Sequence, residues 1–429
     1  MKSFLYHLFI LAYALNFLPG FQKEPLSIPI GSVDLFLPDI CFLLIFFFYL
    51  PSLLKNRNKN HIRAEGKDLS SSFSIILLTF YLFTLLKFIF QNYATHEAVM
   101  DTTSIRTWVA YSIGYLLVLF LPNIIESINA MKWFVLSGTW FAMYIFLFHI
   151  YKYATIGTGY ALHVLGGEFL PVLAFIFFLL AVGKDLLKIN IIYSYVIRVL
   201  ILTTYFMVGH RSGFIALIIG ALCLFFLPGK RAILQQYLLL FVSILILLVT
   251  MVIVAPSLTS KLEKHASTTF DVEQQTYQDR YHNYFAILEK VKEYPILGRP
   301  FGARNINYSA VVHESEHGIT RGYRAVVMSP HNLILEWLYF FGGIGMFTGI
   351  LLLIVSFSLI TRLLKKYQNE ISYRRFVVGL LCVWAHNLFF VLSNASVSSV
   401  YSVFFLYLPL AMMVALDRVP LQKNRSLAV

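Results

Sequence analysis

About twelve apolar runs, each close to the length of a bilayer-crossing helix, recur along this chain. No other feature constrains the fold as strongly. A hydrocarbon core roughly 30 Å thick takes about 20 apolar residues of helix to cross. The runs fall near 4–19, 35–54, 71–90, 108–125, 133–153, 169–183, 191–208, 213–227, 236–255, 331–360, 376–393 and 397–416. The expected fold is all-α: a polytopic membrane helix bundle of about twelve transmembrane helices with one large loop outside the membrane.

Composition supports this. The chain is 59% hydrophobic and only 13% charged, with a mean hydropathy of +0.73. A soluble domain carries roughly 25% charged residues. The net charge of +13 invites a nucleic-acid reading, but most of the cations sit in short loops between apolar runs, where positive charge sets topology. Cys41, Cys223 and Cys382 all lie inside apolar runs, which suggests neither a disulfide framework nor a zinc site. The start of the chain resembles a signal peptide, yet Pro19-Gly20-Phe21 offers no small-x-small cleavage site. It reads as a retained first helix.

Loop charge alternates along the chain. One set of loops holds Lys55, Arg57, Lys132, Lys184, Lys188, Lys230, Arg231, Arg362, Lys365, Arg374, Arg375 and Arg418; the short loops of the other set hold only Lys23, Arg106, Lys152 and Arg211. Positive-inside then places both termini in the cytoplasm and 256–330 outside, in the periplasm of a Gram-negative cell. The chain thus divides into nine helices over 1–255, a large periplasmic loop over 256–330, and three helices with a cytoplasmic tail over 331–429. Within the loop, Tyr281, Tyr284, Phe285, Leu288 and Val291 recur at helical spacing before Pro295. Gly298, Pro300 and Gly302 follow as a turn-rich stretch. A long ordered loop of this kind is usually functional.

Chemistry gathers at the loop's end. In Ser329-Pro330-His331-Asn332, Ser329 suits a helix cap and Pro330 the first helical position, with His331 and Asn332 in the first turn. The positive end of the helix dipole favours a neutral imidazole, the form that accepts a proton, and attracts anions such as a diphosphate. On the local sequence alone, an interfacial histidine with no chemistry is the weightier reading. In His210-Arg211-Ser212-Gly213, at the outer start of a span, Arg211 can grip a phosphate bidentately; a headgroup anchor is the plainer reading. Arg280 opens the loop helix, where a solvated charge is the commoner fate. Arg299, Arg304, Arg321 and Arg324 share that loop, and together they imply an anionic partner.

Lys87, Arg198 and the His386-Asn387 pair lie inside apolar runs, where polar groups are costly. Lys87, near a span end, is expected to snorkel. Arg198 should face the bundle interior or pair with a phosphate-like group. His386 suits either a headgroup cavity or an interhelical hydrogen bond. Glu336, one turn after Asn332, could orient it or a nearby base. The acidic pairs Asp271-x-Glu273 and Glu314-x-Glu316 are thin for a divalent metal, which usually recruits more oxygen ligands. No P-loop, dinucleotide fingerprint or hydrolase elbow is present.

These motifs resemble the O-antigen ligase and polymerase superfamily of bacterial envelope glycosyltransferases, membrane bundles with a GT-C-like architecture. His331-Asn332, nine residues, then Gly342-Gly343-Ile344-Gly345 is one shared pattern. Arg211-Ser212-Gly213 is a second, and Arg280 leading to Pro295-Ile296-Leu297-Gly298 is a third. The resemblance covers the second half of the chain; the first half matches only as an apolar scaffold. It implies a donor glycan on undecaprenyl diphosphate and an acceptor sugar hydroxyl, with lipid A-core as the acceptor for a ligase. His331 would be the general base. Arg211 and Arg280 would hold the diphosphate in place of a metal, with Asn332, Glu336, His210 and His386 in support. It further implies inversion, no cofactor, no nucleotide, no nucleic-acid partner, and an inner-membrane enzyme of lipopolysaccharide biosynthesis. A repeat-unit polymerase is the nearest alternative, and the single large loop tilts the choice to ligase. A protein O-oligosaccharyltransferase and a lipid-linked glycan transporter are more distant readings.

Overall fold

The computed structural model describes residues 27–30, 33–36, 69–94, 112, 119, 122, 128–156, 170–208, 210–229, 284–285, 287–299, 332–394 and 400–418, with isolated positions between 231 and 249. Among these the architecture is helical apart from one short hairpin, β1 (Ser27–Ile30) and β2 (Val33–Phe36). The strands are antiparallel, with Ser27 opposite Phe36 and Ile30 opposite Val33. This adds to the all-helical expectation and takes the first residues of the run placed at 35–54. The sequence explains it: Gly31-Ser32 is a favoured two-residue hairpin connection, flanked by β-branched Ile30 and Val33.

The helices are α1 (Leu69–Ala94), α2 (Ile128–Ile156), α3 (Leu170–Val182), the single turn α4 (Lys184–Leu187), α5 (Ile191–Val208), α6 (Arg211–Leu222), α7 (Leu333–Lys366), α8 (Ile371–Asn394) and α9 (Val400–Arg418). A 3-10 turn, Cys223–Phe226, extends α6. Four helices among the described residues are long and apolar enough to cross a membrane: Ile128–Tyr151, Ile191–Val208, Leu333–Lys366 and Ile371–Ser393. Shorter apolar helices cover Ile75–Phe90, Leu170–Val182 and Ser212–Phe226. The run expected at 4–19, the rest of that at 35–54, and most of those at 108–125 and 236–255 lie outside the described residues, as does most of the loop at 256–330.

The core forms around α3 and α8. Every residue of α3 is apolar and buried, as expected for a helix with no polar face. α8 packs against α3, α6, α7 and α9. Small residues let these helices approach closely: a methyl group on Gly220 of α6 would lie 2.7 Å from the Phe178 ring and 2.8 Å from the Cys382 carbonyl.

The helix expected over 331–360 is longer and bent. α7 runs for 34 residues, roughly 51 Å at 1.5 Å per residue, well beyond the hydrocarbon thickness. It breaks at Gly342, whose φ of 61° and ψ of −155° are not helical.

Lys87 corrects another expectation. Rather than snorkelling, it is 6% exposed, donates to the Leu297 carbonyl and lies 5.4 Å from the Phe341 ring centre. A turn carbonyl and an aromatic face supply the stabilisation that water would otherwise give. Arg198 is buried, as expected.

Candidate functional site

Three chain segments that carry the sequence motifs meet α7 and α8. The first is the start of α7. Asn332, not Ser329, is the N-cap: its backbone is extended (φ −159°, ψ 122°) and its Oδ1 accepts from Ile334 N at 3.0 Å and Leu335 N at 3.2 Å. Asparagine outcompetes the upstream serine because its amide does two jobs. The carbonyl satisfies two orphan N–H groups, while Nδ2 donates to the Leu392 carbonyl at 3.0 Å, near the end of α8. His331 immediately precedes this cap in sequence and lies outside the described residues. Glu336 is fully buried. Its i, i+4 relation to Asn332 is carried by the backbone, with its N–H donating to the Asn332 carbonyl at 2.9 Å.

The second segment is the start of α6. His210 stands at the N-cap position without a side-chain cap bond. Its Nδ1 lies 2.9 Å from Ser212 Oγ, and its ring centre is 5.7 Å from that of Phe390 on α8. Arg211 is the first residue of α6; its side chain falls outside the description. Gly213 has a steric reason, since a methyl group there would lie 2.4 Å from Leu170 Cδ1 at the start of α3.

Beneath both lies His386, fully buried in α8. Its Nε2 is 2.8 Å from Tyr205 Oη of α5, and its Nδ1 is 2.8 Å from Asn387 Oδ1. Tyr205 Oη donates to the Leu170 carbonyl at 2.9 Å. Since Tyr205 has one proton to give, His386 donates to it through Nε2. A neutral ring then completes all three bonds when the Asn387 amide turns its NH2 toward Nδ1. The Phe390 ring stacks on His386 with centres 6.1 Å apart and planes 5° apart. A column thus runs Tyr205, His386, Phe390, His210. It makes His386 an interhelical hydrogen-bonding group rather than the lining of a headgroup cavity.

The third segment is the loop turn 295–298. It docks in the break of α7. Gly343 N donates to the Pro295 carbonyl at 2.8 Å, Ile344 N to the Ile296 carbonyl at 3.3 Å, and Arg299 N to the Tyr339 carbonyl at 2.8 Å. The helix gives up its own bonds there and lends them to the turn. Both contact residues must be glycine: Gly298 has φ 71° and Gly342 φ 61°, and a methyl group on either would lie within 2.5 Å of the other segment's backbone. Lys87 clamps the same turn. Ile287 and Val291, from the helical residues before it, pack on Tyr339. Arg299 reaches Tyr339 Oη at 3.5 Å and Glu293 at 3.7 Å. Arg280, Arg304, Arg321 and Arg324 lie outside the described residues, as do Asp271, Glu273, Glu314 and Glu316.

Sequence reasoning paired His331 with the glycines by spacing, but missed that those glycines receive the Pro-x-x-Gly turn. The signal was present: two glycine motifs, one in a loop and one inside a helix. Lys87 was ranked too low, and Tyr205 carried no signal that singled it out. An isolated tyrosine in an apolar run carries no signal of its partner.

The structure therefore brings together the starts of α6 and α7 at the end of α8, with the loop turn about ten residues further along α7, roughly 15 Å at helical rise. Chemically, two helix starts side by side, one of them opening on Arg211, make an anion-attracting corner. Residues 196–350 match the family model described as O-antigen ligase. The matched stretch begins in α5 and ends within α7, so it takes in Arg211, Arg280, His331 and the Gly342–Gly345 motif. No curated protein matches the chain. The match is consistent with the O-antigen ligase and polymerase superfamily, and supports a ligase- or polymerase-type function in a membrane protein. The apolar helices suit lipid-linked glycan substrates.

Proposed function

We propose that this protein, with an O-antigen ligase match through its centre, is an inner-membrane glycosyltransferase. It moves a glycan from undecaprenyl diphosphate to a sugar hydroxyl of lipid A-core at the periplasmic face. The observation that carries this reading is the meeting of the α6 and α7 starts on the end of α8, through His210 against Phe390 and Asn332 on the Leu392 carbonyl. It brings the start of α6, which Arg211 opens, and the cap of α7, which follows His331 in sequence, onto the same end of α8.

In this reading His331 accepts the proton of the acceptor hydroxyl. The freed oxygen attacks the anomeric carbon as the bond to the diphosphate breaks, and a single displacement inverts the centre. Undecaprenyl diphosphate leaves with its charge held by Arg211 and Arg280, and His331 then releases its proton to water. Asn332 positions the start of α7; His210, Glu336 and His386 support the corner. The arginines supply the charge that a divalent metal supplies elsewhere, so transfer continues in chelator.

His331→Ala should cut transfer by about 10²–10⁴-fold, the usual worth of a general base, while donor binding persists. Full activity in that variant, assayed with purified lipid-linked donor, would remove the assignment. The single sizeable loop at 256–330 favours ligase over repeat-unit polymerase. Deleting the gene separates the two: accumulated lipid-linked polymer marks a ligase, whereas single repeat units on the core mark a polymerase.

A further inference from the structure

At the opposite end of the bundle, where positive-inside reasoning puts the cytoplasm, lies a cavity of about 260 Å³. That is slightly below the range of pockets for drug-sized ligands, too small for a glycan and ample for a headgroup. Its wall is apolar: Ala181 and Val182 close α3, and Leu227 follows the 3-10 turn. Its rim is polar: Lys184, Asp185, Gln235 and Arg375.

The rim is short of negative charge. Arg375 Nη1 pairs with Asp185 Oδ2 at 2.7 Å. Lys184, adjacent, makes no ion pair among the described residues. Its ammonium is held below the usual lysine range, first by burial and then by the charges of Arg198 and Arg375, with Asp185 acting against them. On the rim, Lys184 and Arg375 against Asp185 leave a net +1, and Arg198 is near enough to act on Lys184. Lys132 and Lys188 add to the same face, with Lys132 Nζ donating to the Lys188 carbonyl at 3.3 Å. Beside the cavity the surface turns apolar and exposed: Phe225 and Phe226 precede Leu227, and Ile191 and Ile192 open α5. Cations at a cavity mouth beside exposed aromatic and aliphatic side chains match a phosphate at the bilayer boundary with acyl chains below it.

We propose that this cavity binds the phosphodiester headgroup of an anionic glycerophospholipid, with Lys184 and Arg375 on the phosphate and the acyl chains along Phe225 and Phe226. The full chain, purified in zwitterionic detergent, would be titrated with short-chain phosphatidylglycerol, phosphatidylcholine and inorganic phosphate, and binding read by native mass spectrometry. Phosphatidylglycerol should bind at least tenfold more tightly than phosphatidylcholine. Lys184→Gln breaks no contact described above and should weaken binding about fivefold, the worth of one surface cation; Lys184→Arg should restore it. Equal binding of the two lipids, or an unchanged affinity in Lys184→Gln, overturns the site. Inorganic phosphate binding as tightly as phosphatidylglycerol overturns the lipid assignment in favour of a soluble phosphate compound.

Discussion

The antiparallel pair α7 and α8 has two ends built on opposite principles. Where α7 starts and α8 finishes, the helices are tied by neutral hydrogen bonds, Asn332 to the Leu392 carbonyl and Tyr205 to His386, with backbone bonds at Gly342 and the Lys87 ammonium on the Leu297 carbonyl. Where α7 finishes and α8 starts, formal charge does the joining. Arg362 lies 3.4 Å from Asp417, whose side chain is 2% exposed, and Arg375 pairs with Asp185. Lys366 and Tyr367 cap the last carbonyls of α9, Tyr367 Oη meeting Leu416 O at 2.7 Å. The difference teaches how the fold reserves charge. Under the proposed function, the corner that would receive a diphosphate joins its described helices through neutral hydrogen bonds. The far end, free of that demand, uses ion pairs.

The sharpest way to break this comparison is to remove one tie at each end. Asp417→Asn withdraws the carboxylate facing Arg362 and Lys366 and should cost roughly 1.5–3 kcal/mol, the worth of hydrogen bonds to a charged group. It should leave transfer intact per folded molecule. A thermal-melting loss smaller than that of the neutral-end variants would contradict the division.

Gly342→Ala should come next. An L-residue at that φ and ψ costs about 1–3 kcal/mol, and the added methyl would lie 2.4 Å from the Ile296 carbonyl. The turn should undock, with faster proteolysis between 295 and 299 and reduced transfer. Unchanged proteolysis would show that the loop is held from elsewhere. Tyr205→Phe strips His386 and the Leu170 carbonyl of their partner. It should cost about 1–3 kcal/mol in stability, with activity falling only as stability does. A selective loss of turnover at full stability would promote Tyr205 from positioning to chemistry.

Much of this was legible in the sequence. The span at 191–208 agrees with α5, and those at 71–90, 133–153, 169–183 and 376–393 agree with helices to within about five residues at each end, because a long apolar run admits few structures in lipid. The motif order grouped Arg211 with His331, and the described start of α6 and cap residue Asn332 both meet the end of α8. The cap of α7 was misplaced because Ser, Pro and Asn all suit helix starts. Only the Leu392 carbonyl, 60 residues away, decides among them. The break at Gly342 was equally hidden: glycine is common in membrane helices, and the turn that demands it is remote in sequence. Long-range partners are what a local pattern cannot encode.

The smallest effect tests whether surface charge on the loop contributes at all. Glu293 accepts from Lys290 at 2.7 Å, and its carboxyl is held below the usual range first by that hydrogen bond, then by the charges of Lys290 and Arg299. A carboxylate with a depressed folded pKa lends its stability above its unfolded pKa and loses it as pH falls through the folded value. The direction is therefore weaker docking of the loop in acid. The size is small because the pair is exposed, 35% and 43% at the two side chains, where such pairs are worth a few tenths of a kcal/mol. Glu293→Gln should flatten any acid dependence of proteolysis at the 295–299 turn while barely moving the melting temperature. A large stability loss would mean that Arg299, 3.7 Å from the same carboxylate, ties the turn to α7 through charge, and the neutral account of that end would need to admit an ion pair.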